Sequence, residues 1–247
     1  MDTIQTWRPS LPSAHVRASV DQRAFLASMK HMFSSSATFL GELLQNARRA
    51  GATAVHVTSD RAAQSIAFQD DGCGVSDFSA LVAFARSNWS EQTMREDRPF
   101  GMGFFSALFA ARTVVIRSRG KSLTISIDDV IAQRAMPLQN DPDAPKIGTV
   151  VNLIGVEAGM FATSRGHRYA FAREVARRSA GFPVPVLLDG DVLDRSLALT
   201  NEGRRWDPSP VGKVSLPRDE SGFLQLDHFL DRCVCFLQGL PITSEFS

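Results

Sequence analysis

At 247 residues, 44% of them hydrophobic and 21% charged, the chain is long enough for one large globular domain or for one and part of another. A formal net charge of +1 excludes a field strong enough to hold nucleic acid without sequence preference. Three cysteines without Cys-x-x-Cys spacing give no zinc pattern and fit a reducing cytoplasm, and no apolar run reaches the roughly 18 residues of a membrane span.

In chain order, a polar, proline-containing arm over 1–19 leads to helices over 21–33 and 37–50. Strands at 54–58 and 65–69 follow, then a helix at 77–87, a lid over 88–100 and a helix at 102–111. Further strands fall at 113–118, 122–127 and 149–154, with a helix at 164–179 whose arginines read as a solvated face. Residues 184–188 and 192–193 form a hairpin turned at Asp189-Gly190. This order predicts an α+β fold, a two-layer sandwich of helices on a mixed, mostly antiparallel sheet. Beyond Asn201, Pro208, Pro210, Gly212 and Pro217 mark a linker before new apolar segments at 226–230 and 233–237.

Within the helix at 37–50, Glu42, Asn46 and Arg49 recur at i, i+4 and i+7, so they fall within roughly 60° of one another. Leu40, Leu43, Leu44, Ala47 and Ala50 make the opposite stripe. The polar set is either a solvated cluster or the side of the helix offered to one polar ligand. After the strand ending at Gln69 comes Asp70-Asp71-Gly72-Cys73-Gly74-Val75, a glycine turn that lets backbone approach a flat ligand. Asp70, at the strand end, can accept a hydrogen bond from an exocyclic amine. Gly101-Met102-Gly103-Phe104 opens the next helix, whose N-terminal N–H groups favour phosphate. It has neither the Gly-Lys-Ser/Thr ending of a P-loop nor a third dinucleotide-binding glycine, and taken singly it is also a common packing turn. Finally, Gly148-Thr149 enters an alternating strand with a hydroxyl able to reach a buried polar partner.

In this order and spacing the four segments resemble the GHKL, or Bergerat-fold, ATPases, which include the ninety-kilodalton heat-shock chaperone, MutL, gyrase B and the sensor histidine kinases. The stretch 25–50 looks most like the chaperone's opening helices, 98–111 like its glycine box, and 70–74 like the MutL turn. The resemblance covers about 20–195 and implies an ATP-binding domain over 20–200, with 201–247 as a linker and the start of a transducer.

It further implies ATP and Mg²⁺ as ligands. Glu42 would be the general base, Asn46 the metal ligand and Asp70 the adenine acceptor, supported by Thr149. Gly72, Gly74 and Val75 would lie at the base, and Gly101, Met102, Gly103 and Phe104 at the phosphates. The same likeness implies a homodimer, formed on ATP binding or through a C-terminal region, and leaves a protein client or nucleic acid open as a partner; the cysteine usage and the lack of a long apolar run imply a cytoplasmic location and no membrane partner. Two positions depart from the chaperone, MutL and gyrase pattern. Arg49 replaces an Asp, so its guanidinium either contacts phosphate or steadies Asp70 or Asp71 in the empty pocket. Arg98 with Pro99 replaces the first glycine of the box, which stiffens the lid hinge.

Overall fold

The computed structural model describes residues 24, 28, 38–83, 103–161, 170–201, 205–210, 212–215 and 235–241. The expected arm, nearly all of the first helix, the lid, Arg98, Gly101, Met102 and Cys233 lie outside these residues.

Helix α1 spans Thr38–Arg49 and buries Phe39, Leu40, Leu43, Leu44 and Ala47. Its end is set by Gly51, at φ +72°. There Gly51 N–H donates to the Arg48 carbonyl at 3.0 Å and Ala52 N–H to the Ala47 carbonyl at 3.0 Å. That paired closure is a Schellman motif, in which the left-handed residue costs a glycine nothing. Leu44 is fully buried, and its truncation to Ala costs about 2–5 kcal/mol by transfer and cavity terms. Phe39 meets Phe68 edge-on, ring centroids 6.1 Å apart, which fixes α1 against the second strand.

The sheet contains β1 (Val55–Asp60), β2 (Ser65–Asp70), β3 (Thr113–Ser118), β4 (Lys121–Ile125), β5 (Leu138–Asn140), β6 (Thr149–Ile154), β7 (Val186–Leu188) and β8 (Asp191–Val192). Spatially the order is β5-β4-β3-β6-β2-β1-β7-β8. Every neighbouring pair is antiparallel except β1 with β7, so the sheet is mixed and mostly antiparallel. Alternate residues, such as Val55 and Val57 on β1 and Ile66 and Phe68 on β2, point into one core. Residues of α1, of α2 (Gly103–Ala110) and of α4 (Ala170–Ser179) close that core from one side. The α+β sandwich expected from the sequence is the observed fold.

Differences are local. Of the helix expected at 77–87, the described part is a 3-10 helix at Phe78–Val82, capped by Asp77, with Ala83 returning to extended backbone. The strand expected to reach 127 stops at Ile125, because Ser126 accepts from Asp129 N–H and caps a short helix, α3 (Ile127–Ile131). Strand β5, fully exposed, had no alternating pattern to announce it. The Asp189-Gly190 turn has the expected positive φ values, 52° and 95°, of a two-residue hairpin.

Among the described residues beyond 201 lie two further hairpins: β9 (Asp207–Ser209) with β10 (Gly212–Val214), and β11 (Phe236–Leu237) with β12 (Leu240–Pro241). The second docks on the helical layer. Gln45 on α1 donates to the Gln238 carbonyl at 3.1 Å, and Arg48 donates to the Gln238 side chain at 3.2 Å. Leu240 packs against the core.

Candidate functional site

Glu42, Asn46 and Arg49 share the half-buried side of α1, flanked by residues that anchor the helix in the core. Directly across from Glu42 is the N-terminus of α2. A Cβ placed on Gly103 would overlap the Glu42 carboxylate, so only glycine lets this helix start approach the acid. Phe104 and Phe105 are buried behind it, and the Ser106 hydroxyl donates to the Gly103 carbonyl at 2.6 Å. The start of α2, whose first-turn N–H groups have no acceptor within the helix, thus meets a carboxylate.

Burial raises the pKa of Glu42, while the charges of Arg49 and then Arg178 pull it back, and the net shift is upward. A base tuned upward in this way is better matched to proton transfer near neutral pH. Arg49 leans back along its own helix, with Nη1 at 3.4 Å from Asn46 Oδ1.

The glycine turn is tied to the end of α1. Cys73 N–H donates to the Ala50 carbonyl at 2.8 Å, and a Cβ on Gly72 would stand 2.7 Å from that of Ala50. This junction brings Asp70, the last residue of β2, to the same end of the molecule as Asn46. One Asp70 oxygen accepts Gly72 N–H at 2.9 Å. Burial raises the Asp70 pKa, partly offset by that N–H and reinforced by the charge of Asp71. Asp71 does something different. Its carboxylate accepts from Thr53 N–H at 2.7 Å, from Ala54 N–H at 3.1 Å and from the Thr53 hydroxyl, which lowers its pKa. It clasps the α1–β1 connection and is committed there.

Thr149 is buried and sits opposite Asp70 in the β2–β6 register, with Ser118 opposite it on the other side. Gly74 adopts φ +74°, and Val75 N–H donates to Ser118 Oγ at 3.0 Å. Ser118 in turn donates to the Gly148 carbonyl at 2.7 Å. Arg119 also holds the turn, donating through Nε and Nη2 to the Cys73 carbonyl at 3.1 and 2.7 Å. Ser118 and Arg119 are the site-forming residues that sequence reading missed. A serine at a strand end carries no signal, but a positive φ of 51° at Arg119 before Gly120 marks a hairpin turn beside the site. A cavity of about 560 Å³, lined by Val75, Phe78, Arg119, Lys121 and Leu123 among others, meets the site at Val75 and Arg119.

The structure therefore brings Glu42, Asn46, Arg49, Gly103 and Phe104 together on the α1–α2 side, and Asp70, Gly72, Gly74, Val75 and Thr149 at the strand ends. Gly101 and Met102 lie outside the described residues. Among those residues, no helix is long and apolar enough to cross a membrane.

No curated protein matches the chain. A family model described as histidine kinase-, DNA gyrase B-, and HSP90-like ATPase matches residues 34–155, which span α1 to the end of β6 and hence every residue of the site. Residues 34–155 thus form a domain of this ATPase-like family, the GHKL superfamily.

Proposed function

We propose that the chain is an ATP-binding head, hydrolysing ATP slowly in isolation, that works as a nucleotide-driven conformational switch of the chaperone, MutL or gyrase kind. The observation that carries this reading is the approach of Glu42 to Gly103. It sets a half-buried carboxylate of raised pKa against a helix start, whose first-turn N–H groups have no acceptor within the helix. Such an arrangement suits an acid that takes a proton from water beside a terminal phosphate. For phosphoryl transfer to histidine the same carboxylate has no use.

In this reading the remaining residues take complementary parts. Asp70 accepts from the adenine amine through the carboxylate oxygen not used by Gly72. Thr149, facing Asp70 across the strand pair, supports that carboxylate. Gly72, Gly74 and Val75 let the base lie against backbone, while Gly101, Met102, Gly103 and Phe104 offer N–H groups to the phosphates. The carboxamide oxygen of Asn46 is a hard donor on the same side of α1 as Glu42, and it would hold a magnesium ion. That ion, when bound, neutralises charge on the phosphate oxygens. Arg49 adds a cation at the same place and would contact phosphate directly. Residues 20–200 form the head and 201–247 begin the coupled region. Two heads would pair when ATP is bound, in a cytoplasmic setting and without a membrane partner.

Phosphate release, measured with wild type and Glu42→Ala alongside calorimetric ATP binding with magnesium, tests the assignment. The expected result is retained binding and a turnover about 10²–10⁴-fold lower in the variant. Equal rates would leave Glu42 without a catalytic role, and no release by either protein would leave the chain a non-hydrolysing nucleotide module. A stable phosphohistidine formed on a partner from γ-labelled ATP would instead favour a kinase.

A further inference from the structure

Arg178 departs from the solvated arginine face expected of its helix. Its side chain is only 15% exposed, and Nη1 lies 2.7 Å from the position a Cβ on Gly41 would take. Gly41 precedes Glu42 on α1, so its missing side chain leaves a notch immediately beside the acid. Leu240 of the β11–β12 hairpin borders the same notch, 3.3 Å from that Cβ position. From behind, Glu174 accepts Arg178 Nε at 2.8 Å.

Arg177 uses the same carboxylate through two bonds, at 2.7 and 3.0 Å, and its side chain is 36% exposed. One glutamate therefore holds two arginines, of which only Arg178 is sunk against α1. Burial would raise Glu174, but the Arg177 hydrogen bond and the Arg178 charge hold it below its ordinary pKa, so the anchor stays ionised.

We infer that Arg178 supports Glu42 as a fixed counter-charge: its guanidinium is lodged in the Gly41 notch, one residue before the acid, and is braced by Glu174. The inference rests on the ATPase reading for its catalytic meaning, and it lies outside the span 34–155 matched by the family. Among the described residues, Glu42 feels two cations, Arg49 from its own helix and Arg178 from α4, while α2 contributes its N-terminal dipole. Burying an arginine this close to an acid and bracing it with a second carboxylate gives the acid a fixed counter-charge, which a solvated arginine face does not. A methyl group at Gly41 would push the guanidinium out of this seat.

The full chain tests this with Arg178→Met, Arg178→Lys and Arg177→Met. In Arg178→Met the acid limb of the kcat profile moves to higher pH, so turnover on that limb falls about threefold to tenfold while KM for ATP stays within about twofold. Arg178→Lys restores the limb, and Arg177→Met leaves it in place. Gly41→Ala, which keeps Arg178 but fills its seat, moves the limb in the same direction.

Carboxyl carbon-13 titration of Glu42 in the nucleotide-free chain, identified through the signal lost in Glu42→Gln, moves upward in Arg178→Met. A Glu42 titration unmoved by Arg178→Met, or moved equally by Arg177→Met, overturns the inference. A wild-type chain that binds ATP without hydrolysing it refutes the ATPase reading, and the carboxyl titration then decides the Arg178 inference by itself.

Discussion

Replacing Asp70 by Asn tests base recognition with little change in shape. One carboxylate oxygen accepts Gly72 N–H at 2.9 Å, and an Asn oxygen can keep that bond. The second oxygen becomes an NH₂ group, a donor turned toward the donor amine of adenine. Leaving that amine unpaired in a closed site costs about 1–3 kcal/mol, which weakens ATP binding roughly 5-fold to 150-fold. Inosine triphosphate carries a carbonyl oxygen in place of that amine, an acceptor that the Asn NH₂ can meet, so its affinity should rise. Calorimetry with both nucleotides on wild type and Asp70→Asn gives the discrimination ratio directly, and the variant should bring it to unity or invert it. Equal weakening of both nucleotides, or no change in either, would refute the role of Asp70 as the purine acceptor. The pH dependence follows from the same residue. Because the Asp70 pKa is raised, ATP affinity should begin to fall, as acid is added, above the ordinary aspartate range.

Other consequences are as specific. Gly103→Ala forces a methyl group into the Glu42 carboxylate; overpacking of this kind costs about 1–3 kcal/mol, read as a lower thermal midpoint together with lost turnover. Ser118→Ala strips the buried link between Val75 N–H and the Gly148 carbonyl, at about 1–3 kcal/mol in denaturant unfolding, and it should also weaken ATP binding. The raised pKa of Glu42 means that its ionised form destabilises the nucleotide-free fold. Its favourable contribution is complete below the unfolded-state pKa and disappears as pH rises through the higher folded value. Glu42→Gln should therefore melt at a higher temperature than wild type at neutral pH, the gap closing in acid. A lower midpoint at neutral pH would contradict this.

Much of the site was legible because its parts are local. The i, i+4, i+7 spacing placed Glu42, Asn46 and Arg49 on one side of a helix, and that is where they lie. Asp70 at a strand end followed by two glycines needed only a turn, and Gly74 supplies its positive φ. The sheet followed from alternation in β1, β2, β3 and β6, whose buried faces carry β-branched and aromatic residues.

What escaped notice depends on distant chain. Arg178 looks like any helix arginine until Gly41, 137 positions earlier, leaves space for it. Ser118 gains its meaning only when two turns converge on one hydroxyl. The capping of α3 by Ser126 was present in the sequence, but a five-residue helix offers too short a period to register.

The bonds from Gln45 and Arg48 to Gln238 give α1 a second attachment, on the flank that carries Gly41. A rigid rod gripped at both flanks cannot shift at one without tugging the other. Any displacement of α1 by an incoming triphosphate is consequently mechanical news for residues 235–241. A fluorophore on the exposed Cys235 would let an observer hear it.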